Sequence, residues 1–316
     1  MPNESNGSTN ELRILWERLR NGIERPVVYD KIARIAWLGR EQIRDDQQSN
    51  FYDSKYRTEY YQGKKRDLAQ NHDAMKSLQP YRIERVMPFI SKEDSVLEIG
   101  CSSGYFLETI LPLCSSVTGI ELNQEEAAYG RKRGLDIRDT TLEELGQSYE
   151  HICLFQVLEH QADPKEFLSQ IRSRSMKGSG YLHIEVPTLQ NPLVSLYYIP
   201  EFRDFWFQEP HKFYFTSQSL ECMLVDLGFI ICQIDLKLRS GLSNHFNWIH
   251  KRQRMADKLD CISSGIDIEF ASDVQEHAES LLAEISETFS DLDERYKHKL
   301  EALGFGDTLF VTCQVL

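Results

Sequence analysis

The stretch VLEIGCSSGYFLETI, Val96 to Ile110, constrains this chain more than any other: an apolar run of strand character meets two glycines and passes straight into a helical pattern. Where a strand turns into a helix through glycine, backbone N–H groups and a helix N-terminus converge on a ligand. Gly100 and Gly104 bracket that turn with the spacing G-x-x-x-G. A pyrophosphate-binding dinucleotide turn would read G-x-G-x-x-G, and the acid Glu98, two residues before the first glycine, would repel a pyrophosphate. Beside a cationic ligand, one carrying a sulfonium or amino group, the same acid is favourable. At the end of the next strand pattern, VTGIEL, Glu121 stands where such folds place a carboxylate that accepts hydrogen bonds from both ribose hydroxyls. The two acids together imply an adenosyl group without phosphates.

The sequence around this turn alternates strand-like and helix-like patterns, which is the signature of an α/β doubly wound parallel sheet. The strands are expected at 95–99, 116–121, 135–138, 151–157 and 180–186. Helices are expected between them at 105–113, 124–132 and 164–173, the last opened by Asp163 as cap and Pro164 in the first turn. The KGSG at Lys177 to Gly180 reads as a turn. A further helix is expected at 217–227, closed by Gly228, then a strand at 229–236. Upstream, Leu12, Leu15, Trp16, Leu19, Ile32, Ile35, Ala36 and Leu38 recur at helical spacing around Pro26, so two helices are expected between Glu11 and about Ile43. Residues 1 to about 10 are polar and expected to be disordered. The Tyr-rich FYDSKYRTEYY, Phe51 to Tyr61, is expected to act as a lid over the ligand.

Composition excludes several classes. A chain of 316 residues, 41% hydrophobic, can bury a sizeable core. Its seven cysteines contain no C-x-x-C pair, which argues against a structural zinc site or a disulfide framework; no metal is expected, and a reducing, cytoplasmic setting fits. The first residues lack the charged start and apolar core of a signal peptide, and no apolar run is long enough to span a bilayer. A formal net charge of −13 with no basic stripe beyond HKRQR, His250 to Arg254, argues against nucleic acid as a partner.

At this point the chain resembles the class I S-adenosylmethionine-dependent methyltransferases, especially their bacterial small-molecule branch. LEIGCSSG resembles the family's cofactor loop, FQVLEHQADPKEFL (Phe155 to Leu168) its fourth-strand segment, and GYLHIEVP (Gly180 to Pro187) its fifth strand. The likeness covers roughly 81–236. It implies a Rossmann-like seven-stranded sheet and S-adenosyl-L-methionine as cofactor. It further implies that Glu98, Gly100, Cys101 and Gly104 surround the methionine part, that Glu121 holds the ribose, and that Leu122 touches the adenine. Thr141 falls where the family often has an aspartate for the adenine amine, Leu142 follows with its backbone N–H, and Phe155, Gln156 and Val157 close the fourth strand. The family's loop usually has a glycine where Ser102 stands, so the backbone there accepts a side chain. Glu159 reads best as an acid favoured by a helix start.

Methyl transfer needs in-line positioning and, for a hydroxyl or acidic carbon, a base. His211 ranks first for that role and His160 second. His211 lies in the aromatic stretch Tyr197 to Leu220, where Trp206, Glu209 and Tyr214 are the expected substrate contacts. The segment EPHKFYFTSQSL also resembles one found in sugar methyltransferases and in enzymes of glycan and natural-product pathways, although no cysteine cluster marks the zinc domain of the sugar C-methyltransferases. Further on, Ala278, Leu282, Ile285, Phe289, Leu292 and Tyr296 form a helical stripe that suits packing on its own domain or a homodimer seam. TLFVTCQVL reads as a final strand, and the resemblance implies that it inserts between the fifth and sixth. The expected organisation is an N-terminal helical and lid extension over 1–80, a cofactor-binding core over 81–238, and a helical insertion with the final core strand over 239–316. The expected activity is methyl transfer to oxygen, nitrogen or carbon of a small-molecule acceptor, such as a sugar, nucleotide-sugar or secondary metabolite. A catalytically silent binding protein on the same fold, and less so a nicotinamide-dependent oxidoreductase, are the alternatives.

Overall fold

The computed structural model describes residues 12–39, 67–255 and 278–315. The expected disordered N-terminus and the Tyr-rich lid lie outside the described residues. In chain order the elements are strands β1 (Leu12–Arg18), β2 (Glu24–Asp30) and β3 (Ile35–Leu38); helices α1 (Leu68–Lys76) and α2 (Pro80–Val86); then β4 (Ser95–Ile99), α3 (Tyr105–Ile110), β5 (Ser116–Ile120), α4 (Gln124–Lys132), β6 (Asp136–Arg138) and β7 (Tyr149–Phe155). There follow α5 (Pro164–Gln170), β8 (Met176–Pro187), α6 (Pro192–Ser195), α7 (Pro200–Trp206), β9 (Phe213–Tyr214), α8 (Ser217–Asp226), β10 (Phe229–Lys237), α9 (Leu242–Lys251), α10 (Ala278–Ala302) and β11 (Thr308–Val315). Among the described residues the chain divides into two compact units: a first of 12–39, 187–219, 235–255 and 278–309, and a second of 67–186, 220–234 and 310–315.

The second unit is built on the seven-stranded sheet, with strand order β10-β11-β8-β7-β4-β5-β6. Strands β4, β5, β6, β7 and β8 pair in parallel, so their carboxyl ends share one edge. The final strand lies between β8 and β10, the fifth and sixth of the sequence-based count, as expected. Because both faces of these strands are covered, they read as near-continuous apolar runs; Val96, Leu97, Ile152, Leu154, Leu182 and Ile184 are all fully buried. One core cluster joins Phe106, Leu107 and Ile110 of α3 to Val96, Val117, Phe155 and Phe310 of the strands. Asn123 and Asp163 cap α4 and α5 by accepting hydrogen bonds from the N–H groups of Glu126 and Glu166. Pro112 ends α3 early, and α5 stops at Gln170, passing into a wider turn over Ile171–Ser175. The KGSG segment is not a turn between elements: it bulges inside β8, with Ser179 at φ 64° and the β7 register slipping between Tyr149↔Met176 and His151↔Tyr181.

The first unit corrects the N-terminal expectation. The two expected helices are strands β1, β2 and β3, which join β9 in an antiparallel sheet of order β1-β2-β3-β9. Helical spacing and strand alternation coexist here, and in β3 the residues alternate half-buried and buried, with Ala36 and Leu38 inside. Pro26 does not break a helix; it sits in β2 where the register against β1 shifts between Trp16 and Arg18, a place where a missing N–H is tolerated. Val27, Ala36 and Leu38 from this sheet, with Leu19 from the connection after β1, meet Leu193, Ile199, Phe202, Phe207 and Trp248 in a separate core. The long pattern beginning at Ala278 does form the helix expected of it, α10.

Two histidines lie within the large sheet, and both are buried. Asp94 Oδ2 is 3.1 Å from His151 Nε2, His151 Nδ1 is 3.0 Å from His183 Nε2, and His183 Nδ1 is 3.0 Å from Thr312 Oγ1. One proton arrangement satisfies every member: each neutral ring donates through Nε2, and Thr312 donates to His183. The His151 ring stacks on Tyr181 at 5.3 Å. Burial pushes His151 below its ordinary value and His183 well below it, outweighing the nearby Asp94 carboxylate at His151. The unfolded chain therefore binds protons that the folded chain refuses, so this pair's contribution is complete above about pH 6.5 and is lost as pH falls below it. Thermal melts between pH 7 and pH 5 should show a shallower loss of stability in His183→Gln than in the parent; identical slopes would remove these histidines as the cause.

Candidate active site

The glycine turn is shaped by what surrounds it. Gly100 and Gly104 have φ of 73° and 78°, the left-handed region that favours glycine. A Cβ on Gly104 would lie 2.5 Å from Leu135 Cδ1, and one on Gly100 would lie 2.8 Å from Val157 Cγ2. Ser102 also adopts the left-handed region, at φ 53°, so the loop keeps its course with a side chain at this position. The Gly100 and Cys101 N–H groups both donate to Ile120 O, at 2.8 and 3.1 Å, which fastens the loop to the end of β5. Cys101 is fully buried, and burial raises its thiol well above the ordinary range, so it serves as an apolar filler.

Glu121 closes the other side of the loop. Its carboxylate accepts the Ser102 N–H at 2.8 Å and the Asn123 N–H at 2.6 Å, tying the loop to the start of α4. Leu122 beside it is exposed, as an adenine contact would need to be. Thr141 hydrogen-bonds with Glu144, whose carboxylate accepts the Thr141 N–H at 3.1 Å. Leu142 is half-buried, in the turn between β6 and β7.

The strand ends bring a dense set of charges to the same edge. Glu98 is buried in β4, and its Oε2 has no hydrogen-bond partner among the described residues. Burial pushes this carboxyl well above the carboxylate range, with Glu121 and Glu185 adding to the rise and Arg82 opposing it. Glu185, at the end of β8, receives Arg82 Nε at 2.9 Å and Nη2 at 2.8 Å, a two-pronged buried ion pair. Gln156 Nε2 donates to Glu185 Oε1 at 3.1 Å, and Arg82 lies over the Phe155 ring at 4.5 Å. Gln156 holds φ 62°, a left-handed non-glycine residue at the end of β7, where such strain often marks a functional site. Val157 follows it and packs on Gly100. Glu98, Gly100, Cys101, Gly104, Glu121, Phe155, Gln156 and Val157 are thus assembled around one loop and the strand ends beside it.

Some of the residues that shape this site were not marked by the sequence reading. Gly119 and Gly130 are two: a side chain on Gly119 would collide with Cys101, and a Cβ on Gly130 would lie 2.8 Å from Ser103 O. Glycine inside a strand or helix is destabilising, and that cost is itself the signal of a close backbone approach. Arg82 and Glu185 lack such a signal, because they are 103 residues apart. Glu159 stands in the first turn of a short 3-10 helix, Leu158–His160, as expected, but it is fully buried, with neither carboxyl oxygen hydrogen-bonded among the described residues. His160 Nε2 stands 3.8 Å from Glu159 Oε1, beyond hydrogen-bond distance.

His211 and the expected substrate contacts belong to the first unit. Gln208 Nε2 lies 2.8 Å from His211 Nε2, and Tyr214 faces the His211 ring at 5.9 Å. Tyr214 is fully buried; its hydroxyl receives the Gln208 N–H at 2.8 Å and donates to Gln208 O at 3.2 Å, locking the turn that presents Glu209 and His211. Trp206 stacks on Phe202 at 5.6 Å, and its indole N–H is buried without a partner among the described residues.

Burial pushes the Glu159 carboxyl up to about 8, with Glu185 adding to the rise. A raised carboxyl contributes its stability below the unfolded value near 4.3 and loses it as pH climbs through about 8. Glu159→Gln, which keeps shape and neutrality, should therefore match the parent near pH 4 and exceed it in denaturant melts at pH 8.5. A variant less stable than the parent at pH 8.5 would show that the ionised carboxylate is held by a partner.

The methyltransferase domain model matches residues 71–234, just over half of the chain. The ubiquinone biosynthesis O-methyltransferase of Hydrogenovibrio crunogenus is 25% identical over 202 residues, which cover 59% of this chain and 80% of that protein. Among solved structures, a SAM-dependent methyltransferase from Archaeoglobus fulgidus aligns at 20% identity and TM-score 0.46, covering 81% of this chain and 97% of its own. The magnesium protoporphyrin IX methyltransferase of Synechocystis, solved with bound SAH, aligns at 13% identity and TM-score 0.46 over 60% of this chain and 92% of its own. With a glycine loop, an acid at each of two strand ends and a seven-stranded sheet of this order, the chain belongs to the methyltransferase domain family and is an S-adenosylmethionine-dependent methyltransferase.

Proposed function

We propose that this enzyme methylates a small-molecule acceptor, of the kind represented by sugars, nucleotide-sugars and secondary metabolites. The observation that carries the donor half of this reading is Glu98, a buried carboxyl with an oxygen unpartnered among the described residues, one residue short of the glycine loop's strand end. A buried carboxyl in that state is costly unless a cation meets it. The donor chemistry fits this group: S-adenosylmethionine supplies a methyl group on a sulfonium together with an amino group, both cationic.

In this reading Glu98 balances the donor's positive charge, and the turn Gly100 to Gly104 admits its methionine part against bare backbone. Glu121 holds the ribose. A carboxylate accepts up to about four hydrogen bonds, so it can keep the Ser102 and Asn123 N–H groups and also engage a diol. Leu122 and Leu142 border the adenine, with Thr141 at its amine. Phe155, Gln156 and Val157 hold the donor side of the strand edge, where open α/β sheets bind their ligands.

For the acceptor, the aromatic segment with Trp206, Glu209 and Tyr214 supplies apolar walls and polar tips, the usual make-up of a small-ligand site. His211 is the first candidate to take the proton as the acceptor's nucleophile attacks, and His160 is the second. Transfer to oxygen is supported by the relative from Hydrogenovibrio crunogenus, named as an O-methyltransferase. The helix α10 retains an exposed Leu292 beside its buried positions, which suits a homodimer seam.

Calorimetry with S-adenosylmethionine should show binding, and Glu121→Ala should weaken it about ten- to a hundredfold, the loss expected for charge-assisted hydrogen bonds of about 1.5–3 kcal/mol. Unchanged affinity in a folded variant would remove the ribose role. With an acceptor found by screening sugar and metabolite pools for release of S-adenosylhomocysteine, His211→Ala should lower kcat by about 10² to 10⁴ at unchanged donor affinity. A variant that keeps its kcat would move the base to His160 or make a base unnecessary.

A further inference from the structure

We propose that His72 is a positioning residue of the methyl-donor site, acting on the glycine loop through Ser103. This inference rests on the reading of Gly100 to Gly104 as the donor loop. His72 lies on α1, fully buried and 31 residues before Ser103. Its Nδ1 is 2.9 Å from Ser103 Oγ, and its Nε2 is 2.8 Å from Glu108 Oε2 on α3. Since a carboxylate only accepts, Nε2 carries the proton toward Glu108, and Nδ1 receives the Ser103 hydroxyl in the neutral tautomer.

The far side of this contact is as firmly set. Glu108 also receives Lys76 Nζ at 2.9 Å and Arg133 Nη2 at 2.7 Å. Arg133 above all, then Lys76 and His72, hold its carboxyl down to about 2. It is thus a fixed anion that joins α1, α3 and the end of α4. The His72 ring is flanked by Tyr129 at 5.5 Å and Tyr105 at 6.2 Å, so it has little room to turn. Ser103 is fully buried, and its carbonyl oxygen lies where Gly130 leaves space. The serine is therefore held through its hydroxyl and packed against Gly130 at its carbonyl, between the left-handed Ser102 and the left-handed Gly104 that opens α3. A loop with left-handed residues at alternate positions, Gly100, Ser102 and Gly104, needs outside contacts to stay in one conformation, and His72 supplies one from an element that precedes the loop's own strand.

Two isosteres separate this role from simple packing. Asparagine can place its amide where Nδ1 sits, keeping Ser103 and losing Glu108; glutamine can place its amide where Nε2 sits, keeping Glu108 and losing Ser103. Affinity for S-adenosylmethionine and for S-adenosylhomocysteine is measured by calorimetry, alongside thermal melts. We expect His72→Gln to bind both about tenfold more weakly, His72→Asn to stay within about twofold of the parent, and the two variants to melt at similar temperatures. Ser103→Ala should match His72→Gln, and the double variant should lose no more than either single one. Equal weakening in His72→Asn and His72→Gln, parent-like binding in His72→Gln, or losses that add in the double variant would each overturn the assignment. A parent that binds neither compound would instead overturn the donor-site reading, and this inference with it.

Discussion

The buried pair of Arg82 and Glu185 is the interaction on which the functional edge of the sheet depends. Both groups are withdrawn from water, and removing one partner of such a pair costs about 3–5 kcal/mol because the other charge is stranded. Burial works against the guanidinium, yet Glu185 holds it firmly charged. With that cation in place, Gln156 can bind Glu185, the Phe155 ring has a charge to face, and Glu98 has a counterweight to its own desolvation. The pair also crosses from α2 to the end of β8, so it fixes the helix that leads into the first parallel strand.

Around this anchor lie further buried carboxyls. Glu98 and Glu159 both sit in the interior with oxygens that have no hydrogen-bond partner among the described residues and with acidities weakened by burial. Folding gains nothing from such groups, and most native structures avoid them. Both lie near the edge where parallel strands end, beside the glycine loop, and Glu98 is the one proposed to meet the donor's positive charge. The acid that reads as a helix start in VLEH is part of this set, and only its burial distinguishes it from an ordinary solvated glutamate.

How much of the molecule was legible differs between its two units. In the second unit, continuous apolar runs, the helix cap at Asp163 and the glycine turn at Gly100 to Gly104 pointed to the same α/β order, and the strands formed where those signals lay. In the first unit the local signals conflicted. The apolar residues from Leu12 to Leu38 fit a helical period almost as well as a strand period. β1, β2 and β3 pair with their neighbours in the chain, and β9 adds two residues at the edge, where Ala36 pairs with Tyr214. Strand pairing of this kind leaves no local mark that outweighs helical spacing. The KGSG segment shows the same effect on a smaller scale: turn residues were absorbed into β8 because its neighbouring strand could pair on both sides of a bulge.

The sequence by itself determined the glycine loop, the acids at Glu98 and Glu121 and the succession of the central strands and helices along the chain, because each depends on residue type at short spacing. Left-handed backbone needs glycine or a tolerated exception such as Ser102, and an amphipathic or fully buried period is written within a dozen residues. Tertiary structure alone decided which charges meet: Arg82 with Glu185, His72 with Ser103 and Glu108, Asp94 with His151 and His183. It also decided that Glu159 is buried and that Gly119 and Gly130 give way to the loop. Those outcomes follow from strand order and register, which bring distant residues within hydrogen-bond reach and remove them from water. Desolvation is a property of the packed neighbourhood, and no single stretch of sequence contains it.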